Sequence, residues 1–249
     1  MLLECSTWHE VEAYLRRSNG IILPIGSTEQ HGPTGLIGTD SICADVVARA
    51  VGEAADALVA PTVSFGMAQH HMAFPGTMTL RPETLLAVLV DLLTSLSRHG
   101  FERCFVINGH GGNMATAMAA FSEIHARSSL NRDPTAGRLR CRLRNWWSPP
   151  AVLELQKRLF GDRDGSHATA SDISLSWHAR PDVVRNTTID PPLAPAGRGF
   201  TDADDFRSRY PDGRIGSDPS QASAEAGEQL LDVAVEGLTD EYRRFIEES

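Results

Sequence analysis

The sequence predicts an α/β fold of three layers, with a mainly parallel central sheet flanked by helices. Two patterns predict it. Short apolar runs closed by Gly or polar residues alternate with longer segments whose apolar residues recur at helical spacing. The polar residues suited to chemistry cluster just after the apolar runs, where open α/β sheets bind their ligands.

The elements follow in order. Residues 8–17 place Trp8, Val11, Tyr14 and Leu15 on one side of a short helix, which Gly20 ends. Ile21–Gly26 reads as a buried strand, and a polar, Gly-rich loop runs from Ser27 to Thr39. Asp40–Ala55 reads as a helix, with Ile42, Val46, Val47 and Ala50 at helical spacing, and Ala57–Val63 as a second strand. Ser64–Thr79 is a loop rich in Gly, His and Met. Arg81–Arg98 is the clearest helix, opened by Pro82-Glu83 and stopped by Gly100. Cys104–Asn108 is a third strand, and GHGGN at 109–113 leads into a helix from Met114 to about Ser128. Arg138–Trp147 alternates as a strand, and Ala151–Phe160 is a short helix. A polar loop, Gly161–Ser166, precedes a helix expected from His167 to about Ala179. Residues 190–222, rich in Pro, Gly, Asp and Ser, read as a long loop, a lid or a subunit contact. Ala224–Glu247 is the last helix. No repeat or linker interrupts the chain, so one domain is expected over 1–249.

Composition narrows the function. The 249 residues are 41% hydrophobic and 22% charged, enough for a sizeable core without disulfide or metal staples. A net charge of −9 and a pI near 5.4 argue against a nucleic-acid partner. The most apolar stretch, Leu85–Leu96, is broken by Asp91 and is too short for a bilayer. Glu4 follows Met1-Leu2-Leu3 at once, without a basic and then apolar leader. A cytoplasmic protein with no membrane partner is expected. Cys5, Cys43, Cys104 and Cys141 are scattered and form no CxxC pair, which predicts buried free thiols in a reducing compartment.

Three histidines and three carboxylates fall on loops that face one rim of the predicted sheet. Glu29 and His31 follow the first strand, and Asp40 begins the next helix. His110 follows the third strand, and His167 and Asp172 come later. Carboxylates mixed with imidazoles suit Zn²⁺, Mn²⁺ or Fe²⁺ rather than Ca²⁺. A carboxylate such as Asp40 has two oxygens and can bridge two metals about 3.5–4 Å apart. Taken singly, each residue is more often a surface group or a local cap. GHGG is also compatible with a phosphate-cradling nest, but no Walker-type Lys and Ser/Thr accompany it. Trp146-Trp147 suits either a pocket wall or the core. Gln69, His70 and His71 precede FPGT in a loop that faces substrate, a neighbouring subunit or solvent.

Four motifs carry a resemblance: LPIGSTEQHGP with GTD, HMAFPGTMTL, NGHGGN and GSHATASDISL. In this order and spacing they resemble the creatininase (creatinine amidohydrolase) family from about Ile21 to Leu231. The resemblance implies a mainly parallel sheet, two divalent metals per chain and hydrolysis of carbon–nitrogen bonds in amides or cyclic amides. It also implies a small-molecule substrate and a homo-oligomer, usually a hexamer. Glu29, Asp40 and His110 resemble the ligands of one metal, and His31 and Asp40 those of the second. Creatininase itself carries Glu two residues after the His that matches His110, where this chain has Gly112. Other members supply a Glu from the later motif, where this chain has Asp172, the expected fifth ligand; Asp164 is a weaker candidate. His167 resembles the histidine that handles protons at the substrate. The Tyr-Glu pair of creatininase is Gly111-Gly112 here, which argues against creatinine. Gly111, Gly112, His71 and Trp147 are the expected substrate contacts. The NGHGGN form is similar to members that deformylate a pyrimidine nucleotide intermediate, process a redox-cofactor peptide or open an oxidised inositol ring. A hydrolase of a cyclic polyol-derived ketone or lactone, or a non-catalytic homologue, is the alternative expectation.

Overall fold

The six residues of β1 (Gly20–Ile25) are all buried, which fits a strand covered on both faces. The computed structural model describes residues 1–131, 139–185 and 187–248. β1 pairs in parallel with β2 (Leu58–Val59) on one side and β3 (Arg103–Asn108) on the other. β3 pairs in parallel with β4 (Arg140–Asn145), giving the order β2-β1-β3-β4 among the described residues.

Alternation along the strands feeds two cores. Ile22, Phe105 and Ile107 point to one face. There they meet α2 (Thr39–Ala54), α5 (Pro150–Phe160), α6 (Ala170–Ala179) and α8 (Ala224–Glu247). Ile21, Leu23, Ile25, Cys104 and Val106 point to the other. There they meet α1 (Trp8–Leu15), α3 (Pro82–Arg98) and α4 (Met114–Asn131). The layers are therefore helix, parallel sheet, helix. Among the described residues β4 is an edge strand; its Arg142 pairs with Glu248, the C-cap of α8, and its Arg144 with Glu241 of α8, so charge covers the open edge.

Several expected boundaries move. The first helix stops at Leu15, and the second strand shrinks to two residues plus an isolated Ile25–Val63 bridge. Arg138, the expected start of the fourth strand, lies outside the described residues. α6 starts at Ala170 rather than His167, because Thr169 and Asp172 form a capping box there. Ala168 turns the chain into the left-handed region at φ 51°, and His167 bridges to Ile215 instead. The long loop contains α7 (Ala203–Arg209), capped by Asp202. Its acidic first turn and basic last turn are a helix signature that composition alone hid. All four cysteines are free; Cys43 and Cys104 are buried, whereas Cys5 is exposed. Among the described residues, no helix is long and apolar enough to cross a membrane.

Candidate functional site

β2 and β3 lie on opposite sides of β1, so a crevice opens beyond the C-terminal ends of β1 and β3. Two glycines bring α2 into it. A Cβ on Gly26 would collide with the backbone of Ser41, and one on Gly109 with the carbonyl oxygen of Asp40. This close approach sets Asp40, in the first turn of α2, between the ends of the two strands.

Asp40 then meets two imidazoles. Its Oδ1 lies 3.0 Å from His31 Nε2 and its Oδ2 3.1 Å from His110 Nδ1. The far nitrogens are held by backbone: His31 Nδ1 lies 3.3 Å from Glu29 O, and His110 Nε2 lies 3.1 Å from Met67 O. With the far nitrogens donating to those carbonyls, His31 Nε2 and His110 Nδ1 are the nitrogens turned toward Asp40: protonated they donate to it, and unprotonated they could bind a cation. Glu29 is fully buried; Ser27 Oγ donates to its Oε2 at 2.7 Å, and His110 Nε2 lies 3.3 Å from the same oxygen. Asp172 Oδ2 accepts from Thr169 N at 3.2 Å and lies 3.9 Å from His31 Nε2.

Charge is concentrated here without enough hydrogen bonds. Glu29 Oε1, Asp40 Oδ2 and Asp172 Oδ1 are buried and have no hydrogen bond of good geometry. Buried, unsatisfied carboxylate oxygens are costly. Carboxylates left in this state beside imidazoles are a donor set that suits a divalent cation such as Zn²⁺ or Mn²⁺. Without a cation the histidines take up the charge. Burial opposes it, but Asp40, Asp172 and Glu29 push His31 up to about 10. Burial likewise opposes charge on His110, which Glu29 and Asp40 push up to about 9. Burial would raise Asp40, yet His31 and His110 hold it far below the usual carboxylate range. Burial pushes Asp172 up to about 7 against the pull of His31. Burial, with His71 and His31 close by, drives His167 well below an ordinary imidazole.

A cavity of about 370 Å³ opens onto this cluster. His31, Asp40, His110, His167 and Asp172 line it, and so do Gly111, Trp147 and Asp164. Trp146 lines it as well, while being almost wholly buried in the core. Glu29, Gly112 and His71 lie outside the lining residues. Glu29 sits behind His31 and His110. Gly112 packs so closely on His110 that a Cβ would strike the imidazole, so its role is to make room. His71 is buried 3.3 Å from Glu29, which corrects its expected place against substrate. Sequence reasoning passed over Gln30, although it stands between Glu29 and His31 in the first motif. Its amide touches both His71 and His167 at 2.9 Å.

The profile of the creatininase family, described as creatinine amidohydrolase, matches residues 4–242. The chain belongs to the creatininase family, which makes it a hydrolase of carbon–nitrogen bonds. It is 29% identical to the creatinine amidohydrolase of Pseudomonas putida, over 95% of this chain and 94% of that one. It is 32% identical to the mycofactocin precursor peptide peptidase of Mycolicibacterium smegmatis, over 90% and 85%. Among solved structures, a manganese creatininase superposes with a TM-score of 0.86 at 25% identity, covering 99% of both chains. A mutant creatininase described as Zn–Zn type gives 0.84 at 25% identity, covering 99% of this chain and 98% of that one.

Proposed function

We propose that the chain is a dinuclear metal-dependent amidohydrolase acting on a small amide, formamide or cyclic amide. The observation that carries this reading is Asp40, which directs one oxygen toward each of two imidazole nitrogens at 3.0 and 3.1 Å. In this reading Glu29, Asp40 and His110 hold one cation, and His31, Asp40 and Asp172 hold the other. Bound there, the pair would supply a water of lowered pKa and polarise the scissile carbonyl. His167 handles the proton. Its Nε2 lies 2.9 Å from Gln30 O, and its Nδ1 faces the cluster, 3.8 Å from Glu29 Oε1. Burial keeps the ring neutral, so Nδ1 can take a proton and pass it to the leaving nitrogen.

The cavity lining bears on the substrate. Trp147 and Leu153 offer an apolar surface, and Gln156, Asp164 and Ser171 offer hydrogen bonds. No Arg or Lys lines it among the described residues, so no basic side chain there pairs with a phosphate or a free carboxylate. A neutral or cationic small amide therefore fits better than a phosphorylated one. Elemental analysis with an amide panel tests the proposal. Two divalent ions per chain and hydrolysis of neutral or cationic amides are expected. One ion or none after reconstitution, or turnover confined to phosphorylated substrates, would overturn it.

A further inference from the structure

Among the described residues, two sets of side chains bring ligand atoms within 4.8 Å of one another: Glu29, His31 and Asp40, and also Glu29, His71 and His167. The second set looks like a further cation site. The hydrogen-bond network around Gln30 decides otherwise.

The orientation of the Gln30 amide is fixed at both ends. Its Oε1 accepts from Gly32 N at 2.8 Å, and its Nε2 donates to Gly213 O at 3.0 Å. A flipped amide would set oxygen against oxygen and N–H against N–H. One hydrogen on Nε2 remains, and two ring nitrogens stand 2.9 Å away, His71 Nδ1 and His167 Nε2. His167 Nε2 also lies 2.9 Å from the backbone oxygen of Gln30 and donates to it, so it carries its own proton. The remaining Gln30 hydrogen therefore goes to His71 Nδ1. A neutral imidazole that accepts at Nδ1 is protonated at Nε2. His71 Nε2–H then lies 3.3 Å from Glu29 Oε1, near it without a well-formed hydrogen bond, and Nε2 has no lone pair for a metal. The ring is held against rotation, stacked on His167 at 4.3 Å and edge-on to Phe206 at 4.6 Å.

We infer that His71 is a positioning residue and not a metal ligand: oriented by Gln30, it keeps its protonated Nε2 beside Glu29 Oε1, where the N–H favours the carboxylate in its present place. The inference rests on the proposed role of Glu29 as a ligand. Outer partners of this kind are worth about 10–100-fold in metal affinity.

Nitrogen-15 spectra of the histidine rings, recorded on metal-free wild type, give the first test. Protonated Nε2 and unprotonated Nδ1 are expected for His71; the reverse tautomer would overturn the inference. Titration with Mn²⁺ and Zn²⁺ gives the second. His71→Phe is expected to lose about 10–100-fold in affinity with the number of ions per chain unchanged. His71→Gln, whose amide N–H can replace Nε2–H, is expected to recover most of that loss. A drop in stoichiometry, or equal losses in both variants, would overturn it. A wild type that binds no metal would sink the proposed function instead, while the spectra would still report the tautomer.

Discussion

In the proposed dinuclear site, Asp40 would serve two cations because each neighbouring imidazole is turned toward it by a backbone carbonyl, Glu29 O for His31 and Met67 O for His110. His31→Ala removes one of these nitrogens from a fully packed site. Activity is expected to fall by more than the ~100-fold that loss of an outer partner costs, with one ion lost per chain and the fold intact. Full activity or unchanged metal content would sink the assignment. Asp172 separates ligand from cap. Its backbone N–H donates to Thr169 Oγ1 and its Oδ2 accepts from Thr169 N. Asp172→Asn keeps an oxygen for the cap but loses the charge. Thermal stability should stay within about 1 kcal/mol, the scale of a cap, while affinity for the second ion drops. Equal affinity would move the fifth ligand elsewhere. The grouping of the proposed ligands was legible in the sequence because each sits in a motif at a predicted strand or helix end. The role of His71 was not, because it depends on Gln30 and on Gly213, far along the chain.

At the scale of elements, the site depends on how closely α2 approaches the ends of β1 and β3. Gly109 and Gly111 lie two residues apart and make opposite predictions. A Cβ at Gly109 would strike the Asp40 carbonyl, whereas one at Gly111 meets nothing within 4 Å. Gly109→Ala is expected to destabilise by about 1–3 kcal/mol and to displace Asp40. Gly111→Ala is expected to leave stability within about 0.5 kcal/mol. Denaturant midpoints at constant slope measure both, and equal midpoints would refute the close approach. β1, β3, α3 and α8 were legible because their periodicity is long or their burial complete. α6 was placed early because the left-handed Ala168 and the His167–Ile215 bridge are tertiary features without a local signal. The segment 190–222 read as plain loop, yet Gly213 brings its carbonyl to Gln30 and Arg214 donates to Pro191 O and Ser217 O. The Gly213 contact ties that segment to the site, the Arg214 contacts hold the segment together, and neither leaves a periodic trace.

For the whole molecule, the carboxylates packed beside His31 and His110, together with the burial of Asp172, make the metal-free protein sensitive to pH. His31 and His110 sit above the ordinary 6.5, at about 10 and about 9. Groups raised on folding stabilise fully below their unfolded value, and that stability is lost as pH climbs through the folded value. Asp172, raised from 3.8 to about 7 by burial, adds a further loss as it ionises across that interval. Metal-free protein is therefore expected to lose thermal stability from about pH 6 to pH 10, at about 2–4 °C per kcal/mol. Metal acts in the opposite sense. It needs unprotonated His31 and His110, so its binding strengthens as pH rises through the same window. Ligand-linked stabilisation grows with affinity. The gap between the melting temperatures of metal-loaded and chelator-treated protein should consequently widen from pH 6 to pH 9. A gap that stays constant across this range would show that the two imidazoles are not the groups that exchange a proton for a cation.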